Sequence, residues 1–147
     1  MTYPIESEDL AIDRLITTLK ADLPDLFRQD VSYDIYTSDI SFRDPVNRFK
    51  GKFSYRIVFW TLRFHAQLFF SQIFFDLHSV TPAKPDTILA TWTVRGTLRL
   101  PWHPTLYFNG TSTYKFNTNY QIYDHVDTWD RSPIEILKQF VGKGNSK

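Results

Sequence analysis

From Ile88 to Phe116 the chain twice alternates apolar with polar residues, and that period of two commits this half of the molecule to a two-faced sheet. In residues 88–100, Ile88, Ala90, Trp92, Val94, Gly96, Leu98 and Leu100 alternate with Leu89, Thr91, Thr93, Arg95, Thr97 and Arg99. In residues 107–116, Phe108, Gly110, Ser112, Tyr114 and Phe116 alternate with Tyr107, Asn109, Thr111, Thr113 and Lys115. A pleated strand sends successive side chains to opposite faces, so each run predicts a core-facing and a solvent-facing side. Two more strands are predicted over residues 68–78, where Phe69, Ser71, Ile73, Phe75 and Leu77 share a phase, and over residues 121–130, QIYDHVDTWD. Turn-forming residues separate them at Pro82 to Asp86, at Pro101-Trp102-His103-Pro104 and at Asn117-Thr118-Asn119.

The first half of the chain runs on a different period. Residues 7–28 carry Ile12, Leu15, Ile16, Leu19, Leu23, Leu26 and Phe27 at helical intervals. Ser7 is the expected cap, with Glu8 and Asp9 in the first turn, and Pro24 is expected to open a short second helix. A strand then ends at Arg43-Asp44-Pro45, a link containing Gly51 follows, and Phe53, Ile57, Trp60 and Phe64 mark a helix over residues 52–64. Ser132-Pro133 is the start of a last short helix through Phe140. Helices first and an antiparallel sheet afterwards predict an α+β fold, one curved sheet wrapped over the early helices around a cone-shaped cavity. The length of 147 residues fits one domain, taken as residues 1–141, with residues 142–147 as a frayed tail.

Composition narrows the classes of function. Aromatic residues are abundant, with 13 Phe, 8 Tyr and 4 Trp making 17% of the chain, and such side chains either fill a core or line an apolar cavity. The net charge of +1 comes without blocks of either sign, so no nucleic-acid partner is expected. There is no cysteine, and His65, His78, His103 and His125 show no metal-ligand spacing. Neither a phosphate loop nor a dinucleotide fingerprint is present, so neither a cofactor nor a metal is expected. Arg63, His65, Gln67, Ser71, Gln72 and Asp76 break the greasiest window, Ile57 to Leu77, so no membrane span is expected. The N-terminus MTYPIESEDL is not a signal peptide, which makes a cytoplasmic protein the expectation.

The segments YDIYTSDISFRDPVNRFKG, FWTLRFH, TWTVRG and DHVDTWD resemble an uncharacterised family of cyanobacterial and plastid proteins. The chain resembles, across nearly its whole length, the nuclear transport factor 2-like superfamily, also called SnoaL-like, within which that family falls. The resemblance implies a cone-shaped α+β barrel, often paired as a homodimer through the outer face of the sheet. FRDPVNRFKG is similar to the ketosteroid isomerase segment whose acid before proline shuttles a proton, and the match falls on Asp44. The isomerase also needs a tyrosine on its first helix, which this chain lacks. It needs a sheet aspartic acid too, where Ser112 stands here. Steroid-isomerase chemistry therefore does not transfer.

Alternation on the last strand groups Tyr123, His125, Asp127 and Trp129. The superfamily register implies that His125, Asp127 and Trp129 look into the cone, where Asp44, Trp92, Ser112 and Tyr114 would join them, with Trp60 as a further ligand contact. A carboxylate and an imidazole in an apolar cavity suit an acid–base pair. The competing accounts are plain: Asp44 as a turn former, and His125 with Asp127 as a pair satisfying buried polar atoms. A register slip of one residue would turn both outward. Three functions stay open at this point. One is a pocket for an apolar small molecule, isoprenoid or polyketide-like. Another is a lyase, isomerase or cyclase using Asp44 and His125, and the third is an interaction module working through the outer sheet face.

Overall fold

The computed structural model describes residues 4–141, with side chains from residue 8 onward; the tail 142–147 lies outside the described residues. Helix α1 spans Pro4–Asp22, followed by 3₁₀ turns at Leu23–Asp25 and Tyr33–Ile35. Strands β1 (Tyr36–Arg43) and β2 (Arg48–Lys50) lead into helix α2 (Lys52–Phe69). Strands β3 (Phe70–Lys84), β4 (Thr87–Leu98), β5 (Thr105–Phe116) and β6 (Ile122–Trp129) follow, and helix α3 (Pro133–Val141) ends the described chain. One sheet takes the order β2-β1-β6-β5-β4-β3. Only β1 and β6 pair in parallel; every other neighbouring pair is antiparallel. The sheet is curved but unclosed, with β2 and β3 as edges.

Helical spacing in the first segment does what it predicts. Leu15, Leu19, Leu23, Leu26 and Phe27 are buried, facing a sheet surface built from Tyr36, Ile40, Phe42, Ile88, Ala90, Trp92, Tyr114 and Ile122. Details differ from the sequence expectation for local reasons. The helix backbone begins at Pro4, so Ser7 lies inside α1 rather than at its cap. Pro24 sits in the first turn of a single 3₁₀ turn, not of a second α-helix. Pro82 does not end β3: it pairs with Ile88, and the hairpin turns at Pro85-Asp86. A proline is tolerated there because β3 is an edge strand, where a missing N–H breaks no ladder. At α3 the Ser132 hydroxyl accepts the Glu135 N–H while Glu135 accepts the Ser132 N–H, a reciprocal capping box.

The largest departure is in α2, which continues to Phe69 and buries Tyr55, Phe59 and Ala66. At about 100° per residue, Phe64 lies on the side opposite Tyr55. The stripe Phe53, Ile57, Trp60 and Phe64, which signals the helix in the sequence, therefore faces solvent. Gly51, at φ +102°, makes the turn into α2 in a backbone region that side chains rarely adopt.

Candidate functional site

Register brings the polar residues of the inner face together. Ser112 pairs with Asp127, Tyr114 with His125 and Gly110 with Trp129 across β5 and β6, while Phe42 of β1 pairs with His125 from the other side. The indole of Trp92 lies over Gly110, where an added Cβ would meet the ring at 2.2 Å. That close approach is why this strand position holds glycine.

A continuous hydrogen-bonded chain results. The Trp92 Nε1–H donates to Ser112 Oγ at 2.9 Å, and the Ser112 hydroxyl donates to Asp127 Oδ1 at 2.6 Å. His125 Nε2 meets the same Oδ1 at 2.6 Å, and its Nδ1 meets the Tyr55 hydroxyl at 2.6 Å. The carboxylate only accepts, so the imidazole donates from Nε2, and a neutral ring then receives the Tyr55 O–H on Nδ1. Every donor in the chain thus points toward Asp127. The His125 side chain is 4% exposed and that of Asp127 is 17% exposed. Both hydrogen bonds fall on Asp127 Oδ1, and Oδ2 has no partner among the described residues.

Aromatic rings enclose this chain. Tyr114 lies against His125 with ring centroids 4.4 Å apart, Phe42 against His125 at 4.9 Å, and Tyr36 and Phe59 flank Tyr55 at 4.8 and 4.9 Å. Burial pushes the Tyr55 and Tyr114 phenols well above their ordinary pKa, and the negative charge of Asp127 adds to both. Tyr36 is also raised by burial. These phenols are neutral donors over the ordinary pH range. The Tyr114 hydroxyl is buried without a hydrogen-bond partner among the described residues.

Not every expected site residue joins this group. Asp44 Oδ1 accepts the backbone N–H groups of Val46 and Asn47 at 2.9 and 2.6 Å, and Oδ2 accepts Asn47 Nδ2 at 3.3 Å. Its hydrogen bonds hold the β1–β2 turn, and none reaches His125 or Asp127. Trp60 stands apart on the outer side of α2, 56% exposed and stacked on Phe64. Trp129 is half-buried and packs on Phe108 at 5.2 Å. Sequence reasoning missed Tyr55 altogether. The available signal was its spacing of four from Phe59 and eleven from Ala66, a second helical phase hidden behind the stronger apolar stripe.

Two cavities are formed at the surface. One of about 360 Å³ lies where β6 ends; Thr91, Asn109, Thr111, Thr128 and Asp130 of the outer strand face line it with His78, and Trp92, Gly110 and Trp129 border it, while Asp127 does not. Its polar wall is itself organised: His78 Nε2 meets Thr93 Oγ1 at 2.7 Å, Thr93 donates to Asn109, and Asn109 donates to both Asp130 oxygens. The other, of about 480 Å³, lies between α1 and the β5–β6 turn, lined by Arg14, Thr18, Asp34 and Tyr120 among others. Among the described residues no group of three or more His, Asp and Glu side chains is placed to hold a metal ion. No described helix is long and apolar enough to cross a membrane.

Known structures share this architecture. An NTF2-like protein from Anabaena variabilis matches with a TM-score of 0.61 at 14% identity, covering 90% of this chain and 96% of that one. A SnoaL-like family protein from Agrobacterium tumefaciens matches at 0.54 and 14% identity, covering 80% and 99%. The epoxide hydrolase/cyclase-like enzyme SalBIII, of pyran ring formation in the polyether salinomycin, matches at 0.55 and 11% identity, covering 86% and 92%. These likenesses carry the fold alone: an NTF2-like, SnoaL-like α+β cone. Residues 13–125 match the family described as uncharacterized conserved protein (DUF2358), and the chain belongs to that family. None of the curated proteins matches it by sequence.

Proposed function

We propose that the protein binds a small, largely apolar molecule, isoprenoid or polyketide-like, at the end of the cone rimmed by Trp92 and Trp129. In this reading Asp127, backed by His125 and Tyr55, meets the polar group of the ligand. The observation that carries it is the hydrogen-bonded chain from Trp92 through Ser112, Asp127 and His125 to Tyr55. A chain with every donor aimed at one half-buried carboxylate, whose second oxygen is open, is more polar structure than a core needs for stability. A homodimer through the uncharged outer-face row Ser79, Thr91, Thr111 and Thr128 is the alternative use of that surface, since the last three also line the cavity of about 360 Å³.

The open Asp127 oxygen also favours a second reading, a lyase, isomerase or cyclase. Asp127 would accept a proton from the substrate while His125 and Tyr55 hold the carboxylate in place. Asp44 is a poor partner for such chemistry, since its carboxylate is occupied by the turn.

Native mass spectrometry of protein purified from several hosts tests the binding reading. A co-purifying apolar molecule that is lost in Trp129→Ala and weakened in Asp127→Asn is the expected result. Empty protein from every host, together with no uptake of added isoprenoid or polyketide-like compounds, would sink it.

A further inference from the structure

Helix α2 presents an apolar stripe on which nothing is packed among the described residues. Phe53 is 75% exposed, Ile57 45%, Trp60 56%, Phe64 47% and Leu68 51%, on the side opposite the buried Tyr55 and Phe59. Trp60 and Phe64 stack with centroids 5.2 Å apart, so the stripe is a continuous surface rather than scattered residues. Contiguous apolar patches of this kind mark interaction sites.

The charge around the stripe says what covers it. The sequence of α2, KFSYRIVFWTLRFHAQLF, contains no acidic residue. Arg48 and Lys50 of β2, with Lys52 and Arg56 of α2, gather at its N-terminal end, where the helix dipole adds further positive potential. None of the four forms an ion pair among the described residues, although Arg56 lies over the Tyr33 ring at 4.4 Å, whereas Arg63 is paired with Asp30. A second copy packing helix to helix would bring no carboxylate from its own α2 to these cations. An anionic lipid surface would supply phosphates at the headgroups and apolar depth just beneath.

We infer that α2 is an interfacial helix which seats the protein on an anionic bilayer surface. Phe53, Trp60 and Phe64 enter the headgroup–acyl boundary while Arg48, Lys50, Lys52 and Arg56 meet lipid phosphates. Aromatic residues with one apolar body suit that depth. The helix stays attached to the cone through Tyr55 and Phe59, so docking leaves the inner hydrogen-bonded chain intact.

The test is flotation of the purified chain with vesicles of phosphatidylcholine alone and of phosphatidylcholine mixed equally with phosphatidylglycerol. Binding to the mixed vesicles, weakened by salt and absent with the neutral ones, is expected. Lys50→Glu with Lys52→Glu lowers the affinity about fivefold or more for each cation lost. Phe53→Ser with Trp60→Ser lowers it about tenfold or more. Both pairs are at the surface, and a melting curve like that of wild type verifies their folding. A blue shift of tryptophan emission on vesicle addition should vanish in Trp60→Phe. The inference is overturned by absence of flotation at low salt, by equal binding to neutral vesicles, or by charge and aromatic variants that float as wild type does. It is also overturned if light scattering finds a dimer that Phe53→Ser with Trp60→Ser dissolves, which would give the stripe to a second copy.

Discussion

At the scale of single residues, two tyrosines on the same inner surface should behave differently. The Tyr55 hydroxyl satisfies a ring nitrogen of a histidine that is almost wholly buried. Tyr55→Phe leaves that acceptor unpaired and costs about 1–3 kcal/mol. The Tyr114 hydroxyl makes no hydrogen bond of ordinary geometry among the described residues, Ser112 being its only polar contact, so Tyr114→Phe should cost less than Tyr55→Phe. Urea unfolding of the two variants beside wild type decides the matter, and equal losses would contradict the assignment. This scale was only partly legible in the sequence. Strand alternation groups His125 with Asp127 without reference to any partner. An acid before proline reads the same whether it is a base or a turn former, and only the bonds of Asp44 to Val46 and Asn47 show the turn. Tyr55 was invisible because its partner lies 70 residues away in sequence.

At the scale of elements, close packing between β4 and β5 rests on Gly110. A methyl group there meets the Trp92 ring, which is 3% exposed and tied to Ser112 by its N–H, so the ring has little freedom to move aside. Gly110→Ala should therefore destabilise by about 1–3 kcal/mol. Combining it with Trp92→Phe should recover part of that loss, and strict additivity of the two would argue against the contact. For α3, Ser132→Ala removes one half of the capping box and should cost about 1 kcal/mol, read as a shift in the thermal midpoint. The long strands were legible because one face is buried and the other wet, which writes a period of two into the sequence. β2 was not, since three residues, RFK, are too few to show a period. The orientation of α2 misled for a physical reason: its solvent side is more apolar than its buried side, the reverse of the usual amphipathic pattern.

At the scale of the whole molecule, buried phenols set an alkaline limit. Tyr36, Tyr55 and Tyr114 are each held above the ordinary value of 10.0, chiefly by burial. A group whose folded pKa is raised gives its full stabilisation below the unfolded pKa and loses it as pH climbs toward the folded value. Stability should therefore hold up to about pH 10 and then fall, by about 1.4 kcal/mol per pH unit for each such tyrosine. In one titration, the tyrosinate absorbance lost in the Tyr36→Phe, Tyr55→Phe and Tyr114→Phe variants should be the part that rises together with the circular dichroism change. Ionisation of these three at their ordinary value in a folded protein would contradict the account.

The cone as a whole is organised around one polar chain, with helices and sheet closing aromatic rings upon it. Its centre is His125, and nitrogen NMR of that imidazole tests the claim most directly. The account predicts a proton fixed on Nε2 toward Asp127, an unprotonated Nδ1 receiving Tyr55, and loss of this state in Asp127→Asn. A ring protonated on Nδ1 instead, or one exchanging freely with solvent and indifferent to Asp127→Asn, would contradict it.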